Sequence, residues 1–179
     1  MKTIFLDRDG VINEDRDDYV KGVKELKIFP FVPQSIKRLN DAGLQVFVVS
    51  NQQGIAKGLF SRNDLNEMKN EIDRQVEQAG GKIEKYYFCM HLASDGCSCR
   101  KPKPGLLIKA ANEYNFDTKE SIMIGDSERD IIAGKNAGCK TILVLTGKLN
   151  QEEAENMESK PNYVARNLAD AVDYILRDI

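Results

Sequence analysis

The chain has almost no net charge. Its 26 lysines and arginines set against 28 aspartates and glutamates leave −2 over 179 residues. A balance this close to neutral excludes the bulk basic field that would draw it to nucleic acid or an anionic membrane. No apolar run approaches the roughly 18 residues that a membrane span requires. The first residues lack the charged segment and apolar run of a secretory leader, so the chain reads as cytoplasmic. It has no internal repeat, low-complexity tract or linker, and is expected to form one domain over 1–179. Histidine is nearly absent: the single one, His91, falls among Cys89, Cys97 and Cys99, three of only four cysteines. In a reducing compartment such a cluster reads as a metal site rather than as disulfides. The fourth, Cys139, lies between Gly138 and Lys140 beside an apolar run and reads as a small packed residue.

What is present alternates between short apolar runs and helical patterns. Thr3 to Leu6 reads as a buried strand that ends in Asp7-Arg8-Asp9-Gly10. A charged stretch, Ile12 to Glu25, reads as a long loop reaching over whatever the first strand presents. Val32 to Ala42 has helical spacing and stops at Gly43. Val46 to Val49 is a second strand, ending in Ser50-Asn51-Gln52-Gln53-Gly54. Ser61 caps a helix that runs to Ala79, with Leu65, Met68, Ile72 and Val76 on one face. A third strand, Ile83 to Cys89, enters the cysteine cluster, and Arg100-Lys101-Pro102-Lys103-Pro104-Gly105 leads into a helix over Leu106 to Tyr114. Ser121 to Ile124 is a fourth strand, followed by Gly125-Asp126-Ser127-Glu128-Arg129-Asp130 and a short helix from Ile131 to Ala137. Thr141 to Leu145 is a fifth strand, and Tyr163-Val164 with Leu168 to Leu176 gives a last strand and a closing helix.

This alternation predicts an α/β fold, a three-layer Rossmann-like parallel sheet with helices on both faces. Such sheets bind ligands beyond the carboxyl ends of their strands. A lone Asp-x-Asp-Gly could be a solvated turn. Here Asp7 and Asp9, Ser50 and Asn51, Arg100 and Lys101, and Asp126 with Asp130 all follow apolar runs, so a parallel topology brings them to one edge. Paired carboxylates there suit a hard cation such as Mg²⁺. The three cysteines and His91 suit a structural Zn²⁺ without an open position, although Cys-x-His and Cys-x-Cys are tighter spacings than in zinc fingers.

In their order along nearly the whole chain, these four segments resemble the motifs of the haloacid dehalogenase (HAD) superfamily of phosphohydrolases. Asp7-Arg8-Asp9-Gly10 looks like the first motif, Ser50 the second, Lys101 the third, and Gly125-Asp126 through Asp130 the fourth. Cys89-Met-His91, five residues, then Cys97-Ser-Cys99-Arg100-Lys101-Pro102 resembles the zinc loop of a subgroup holding heptose-bisphosphate and histidinol-phosphate phosphatases. The phrases Ser50 to Gly58 and Arg100 to Gly105 are closer to the heptose enzymes; the short His91–Cys97 gap is shared with the histidinol enzymes. Val11 departs from the usual threonine, and Ser127 stands where the heptose enzymes often carry lysine.

The resemblance implies a Mg²⁺-dependent phosphatase that works through an aspartyl-phosphate on a small phosphorylated sugar, with neither nucleic acid nor membrane as partner. A monomer is expected, because no long apolar face is left once helices cover the sheet. Asp7 is then the nucleophile and Asp9 the acid and base, with Asp7, Asp126 and the Asp9 carbonyl on Mg²⁺. Ser50, Asn51 and Lys101 would hold the transferring phosphoryl group, and Arg100 the substrate oxygens. Cys89, His91, Cys97 and Cys99 would bind Zn²⁺. Asp130 reads equally as a ligand or a capping residue, Lys103 as a substitute for Lys101, and Arg8 as a structural or surface residue.

Overall fold

A computed structural model describes residues 3–177. Six parallel strands form a single sheet in the order β3-β2-β1-β4-β5-β6: β1 (Thr3–Leu6), β2 (Gln45–Asn51), β3 (Lys85–Cys89), β4 (Ile122–Gly125), β5 (Lys140–Val144) and β6 (Tyr163–Ala165). Phe5 lies opposite Phe47 on one side and Met123 on the other. The chain steps outward from β1 to β3, then returns to lay β4 against β1. That return makes the β1–β4 seam the topological switch point, where the crossovers diverge and open a crevice.

Side chains on a strand alternate between faces, and the core divides accordingly. Ile4 and Leu6 pack with Val46 and Val48 under α1 (Val32–Asp41), α2 (Arg62–Gln78) and α6 (Leu168–Arg177). Phe5, Phe47 and Val49 face the other way, against α3 (Gly105–Tyr114) and α4 (Glu128–Asn136). With both faces covered, the strands read as continuous apolar runs rather than alternating ones. Ser61 caps α2 as its sequence suggests: its Oγ accepts from the Asp64 amide at 3.1 Å, and the Asp64 carboxylate accepts the Ser61 amide at 2.7 Å.

Several elements differ from those expected. β3 begins at Lys85 rather than Ile83; Ile83 packs into the core just ahead of the ladder. α4 begins at Glu128 rather than Ile131, because Ser127 and Asp130 form a capping box that draws the first turn back towards β4. A further helix, α5 (Gln151–Asn156), was not foreseen. Its Asn150–Glu153 cap is visible in the sequence, but only Ala154 is buried, so it has no apolar stripe to reveal it. Among the described residues no helix is long and apolar enough to cross a membrane.

Candidate active site

A cleft of about 230 Å³ opens over the β1–β4 seam, and Asp7, Asp9, Ser50, Asn51, Arg100, Lys101, Asp126 and Asp130 all border it. Asp7 leaves the end of β1 with its amide on the Ile124 carbonyl at 3.0 Å, and Asp126 follows β4 directly. The two carboxylates therefore sit on neighbouring strand ends by construction of the sheet.

Lys101 enters from the loop beyond β3 and is only 2 % exposed. Its Nζ lies 3.0 Å from Asp7 Oδ1 and 2.5 Å from Asp130 Oδ1, and donates to the Val49 carbonyl at 2.8 Å. The Asn51 carboxamide fixes this loop from both sides, donating to the Lys101 carbonyl and accepting its amide, each at 3.1 Å. Asn51 thus holds Lys101 in place. Lys103 turns elsewhere, donating to the carbonyls of Gly96 and Cys97, so Lys101 is the lysine in the cleft.

One ammonium cannot neutralise three carboxylates. Burial pushes Asp7 up to about 6 against the opposing charge of Lys101, with Asp130 and Asp9 adding to the rise. Burial pushes Asp126 up to about 8, reinforced by the charges of Asp130 and Asp7. Burial acts against the Lys101 ammonium as well, but Asp130 and Asp7 outweigh it and hold the amine above its usual range. Asp126 is 7 % exposed and has no hydrogen-bond or ion-pair partner among the described residues. A buried carboxylate in that state lacks a cation. Oxygens of Asp7, Asp126 and Asp130 lie within 4.8 Å of one another, which fits a hard divalent ion.

Asp9 faces a different environment. Its carboxylate accepts from Arg8 Nη2 at 2.7 Å, Asn13 Nδ2 at 2.9 Å and Gln52 Nε2 at 3.0 Å. Burial would raise its pKa, but the Arg8 guanidinium and these hydrogen bonds overcome that and hold it below the usual carboxylate range. Arg8, read as structural or surface, is structural: it is 2 % exposed and forks onto Asp9. Asp130 caps α4, accepting the Ser127 amide at 3.1 Å, and pairs with Lys101.

The cysteine cluster closes beside this cleft. The Cys99 sulfur lies 3.3 Å from that of Cys89, 3.5 Å from that of Cys97 and 3.2 Å from His91 Nδ1. A tetrahedral Zn²⁺ with ligands at about 2.3 Å would set sulfurs about 3.8 Å apart. The cluster is close to that size, and all four cysteines of the chain are free thiols.

Several residues at the site carry no motif. Thr146 and Gly147 follow the end of β5. Thr146 Oγ1 donates to the Gly10 carbonyl at 2.6 Å. Gly147 and Gly10 both lie against the Asp126 side chain, leaving no room for a Cβ at either. Gly10 also has φ +80°, which favours glycine. The rule about strand ends could have found Thr146 and Gly147, since they occupy the same edge. Tyr19, Lys148 and Arg129 also border the cleft. Tyr19 comes from the long loop that was expected to reach over the site, and its hydroxyl accepts from Gln53 and Lys57, each at 2.7 Å.

The HAD-hydrolase-like family model matches residues 98–171. D-glycero-beta-D-manno-heptose-1,7-bisphosphate 7-phosphatase of Neisseria meningitidis is 41 % identical over 99 % of this chain and 96 % of its own length. The Bordetella bronchiseptica protein of that name is 38 % identical over 99 % of each. The chain belongs to the heptose-bisphosphate phosphatase family of HAD-like hydrolases. A crystal structure of the B. bronchiseptica family member, complexed with magnesium and phosphate, covers all of both chains with a TM-score of 0.92 at 37 % identity. The family fold is therefore shared along the chain, and the heptose-bisphosphate phosphatases to which the motifs pointed are the relatives it matches.

Proposed function

We propose that this chain is a Mg²⁺-dependent phosphatase that removes the 7-phosphate of D-glycero-D-manno-heptose 1,7-bisphosphate through an aspartyl-phosphate on Asp7. The observation that carries this reading is the set of half-buried Asp7 with buried Asp126, Asp130 and Lys101 at the β1–β4 seam, in a chain similar along its whole length to heptose-bisphosphate phosphatases. Mg²⁺, held by Asp7, Asp126 and the Asp9 carbonyl, supplies charge that offsets the repulsion between a phosphate dianion and the attacking carboxylate.

The chain's own residues supply the rest. Asp7 Oδ attacks phosphorus and the sugar alkoxide leaves, giving the acyl phosphate. Lys101 compensates charge on the transferring group and fixes the Asp7 carboxylate, and Ser50 Oγ adds a hydrogen bond. Asp9 protonates the leaving oxygen, then takes a proton from the water that opens the acyl phosphate. The low pKa of Asp9 in this geometry suits the second step. The first requires its carboxylate to leave part of the Arg8, Asn13 and Gln52 cradle. Arg100 is suited to hold substrate oxygens through its guanidinium.

A structural Zn²⁺ on Cys89, His91, Cys97 and Cys99 is part of the same proposal. With four protein ligands it keeps no position for water and takes no part in hydrolysis.

Two results follow. Histidinol phosphate should be poorer than the heptose bisphosphate by at least about tenfold in kcat/KM, about 1.4 kcal/mol of transition-state binding. A phosphate-release assay on both compounds with Mg²⁺ measures this; equal or better activity on histidinol phosphate would reverse the substrate assignment. Asp9→Asn should lose roughly 10²–10⁴-fold in kcat, the usual worth of general acid–base catalysis, while Mg²⁺ affinity by titration calorimetry is retained. A collapse of Mg²⁺ affinity instead would make the Asp9 side chain a ligand.

A further inference from the structure

Ser50 and Gln52 stand two residues apart at the end of β2, so their side chains share one side of the sheet. The ladder outlasts the strand by one residue, because the Gln52 amide donates to the Cys89 carbonyl of β3 at 2.7 Å. Gln52 is 2 % exposed and does not border the cleft. Its carboxamide nonetheless reaches two residues that do. Nε2 donates to Asp9 Oδ2 at 3.0 Å and to Ser50 Oγ at 3.1 Å.

Charge does not explain this contact. Arg8 Nη2 already donates to both Asp9 oxygens, at 2.7 Å and 2.9 Å, and a neutral amide adds no countercharge. What it adds is direction. An ionised carboxylate only accepts, so the group facing Asp9 is the amide nitrogen, which carries two hydrogens. One goes to Asp9 and the other to Ser50. A hydroxyl that accepts in this way keeps its own proton for another neighbour. That neighbour is on the side of the nucleophile: burial raises the Asp7 pKa, and a hydrogen bond from Ser50 is among the effects that oppose the rise. Donors therefore run from Gln52 through Ser50 towards Asp7, and from Gln52 directly to Asp9.

We propose that Gln52 is a positioning residue for the phosphatase reaction, holding the Asp9 carboxylate and the Ser50 hydroxyl in one shared orientation so that proton transfer and the grip on the phosphoryl group are aligned on the same phosphorus. The assignment rests on the phosphatase reading above. Gln52 sets the place from which Asp9 moves to the leaving oxygen and to which it returns to meet water. Methionine at this position has a similar length and no donor. Glutamate keeps the shape but turns the donor into an acceptor beside Asp9.

The test is steady-state kinetics on heptose 1,7-bisphosphate at saturating Mg²⁺ for the wild type, Gln52→Met and Gln52→Glu, with both changes also made in Asp9→Asn and in Ser50→Ala. Gln52→Met should lose roughly 10–10²-fold in kcat, the cost of displacing a reacting group by about an ångström, with KM unchanged. Gln52→Glu should lose at least as much. In Asp9→Asn and in Ser50→Ala the same changes should cost less than in the wild type, by at least about threefold, because the residue they act through is already altered. A glutamine that only filled space would cost the same in every background. If the wild type is active and both variants keep its kcat, the Gln52 assignment is overturned and the phosphatase reading stands. A raised KM at constant kcat makes Gln52 a substrate contact and overturns it, as does an equal loss in either background. If Gln52→Met fails to fold, Gln52→Glu carries the same comparison; failure of both gives Gln52 a structural role and overturns the assignment. A wild type with no activity on the bisphosphate overturns both.

Discussion

Asp7→Asn is expected to fold normally and to release almost no phosphate, with a loss of at least ~10⁴ in kcat, about 5.5 kcal/mol of barrier. The carboxamide keeps the shape of the carboxylate but is a poor nucleophile, and no other side chain takes its place. Asp126 is oriented by Gly10 and Gly147, Asp130 is committed to Lys101 and the α4 cap, and Asp9 is cradled by Arg8. Stability should move the other way. Asp7 has a raised pKa, about 6, so its ionised form costs the folded state free energy at any pH above that value when no metal is bound. In EDTA at neutral pH the Asn variant should therefore melt at or above the wild-type temperature. Appreciable turnover by the pure variant, or an acyl phosphate still trapped on it and seen by mass spectrometry, would remove Asp7 as the nucleophile.

Loss of the proposed zinc site should act on the cleft from a distance. Ala93 to Gly96 and Ser98 are exposed, and the nine residues between Cys89 and Cys99 build no core of their own. Ordering nine residues costs about 9–18 kcal/mol of backbone entropy. A structural Zn²⁺ bound to cysteine and histidine contributes about 10–16 kcal/mol at neutral pH, which is of the same size, so an ion bound there would decide whether the loop is ordered. Cys89 ends β3 on the sheet, and Cys99 is bonded directly to Arg100 and Lys101. Such a cross-link would therefore set where the cleft's cations point. The expected results are one Zn²⁺ per chain by elemental analysis of protein purified without chelator, and a Cys99→Ser variant that has lost it. That variant should keep the far-ultraviolet signature of the sheet and helices but lose at least about tenfold in kcat/KM, the cost of misplacing a positioned charge by about an ångström. Protein without zinc, or wild-type kinetics in Cys99→Ser, would mean that other forces order the loop.

Much of this molecule is legible in its sequence because a parallel sheet imposes one rule. Each buried strand is an apolar run, and the chain emerges at the same edge each time. Asp7, Ser50, Lys101 and Asp126 could be assembled on paper from that rule alone, and the Cys–His spacing marked out a cluster of side chains able to hold a metal ion. The helices with an apolar stripe, such as α2 with Leu65, Met68, Ile72 and Val76, were equally plain. α5 was not, since it buries one alanine.

What tertiary structure alone decided is which of the polar residues at that edge are free. Arg8, Lys101 and Arg129 are three basic residues that follow apolar runs to the same edge, and sequence alone does not say which of them is paired. Folded, Arg8 is sealed against Asp9, Lys101 is buried between Asp7 and Asp130, and Arg129 has no partner among the described residues. The same holds for Gly10 and Gly147, far apart in sequence, which both close against Asp126. Local pattern carries strands, helices and ligand types because those depend on neighbours along the chain. Charge pairing and close packing depend on neighbours in space, and the sheet brings those together only when it closes.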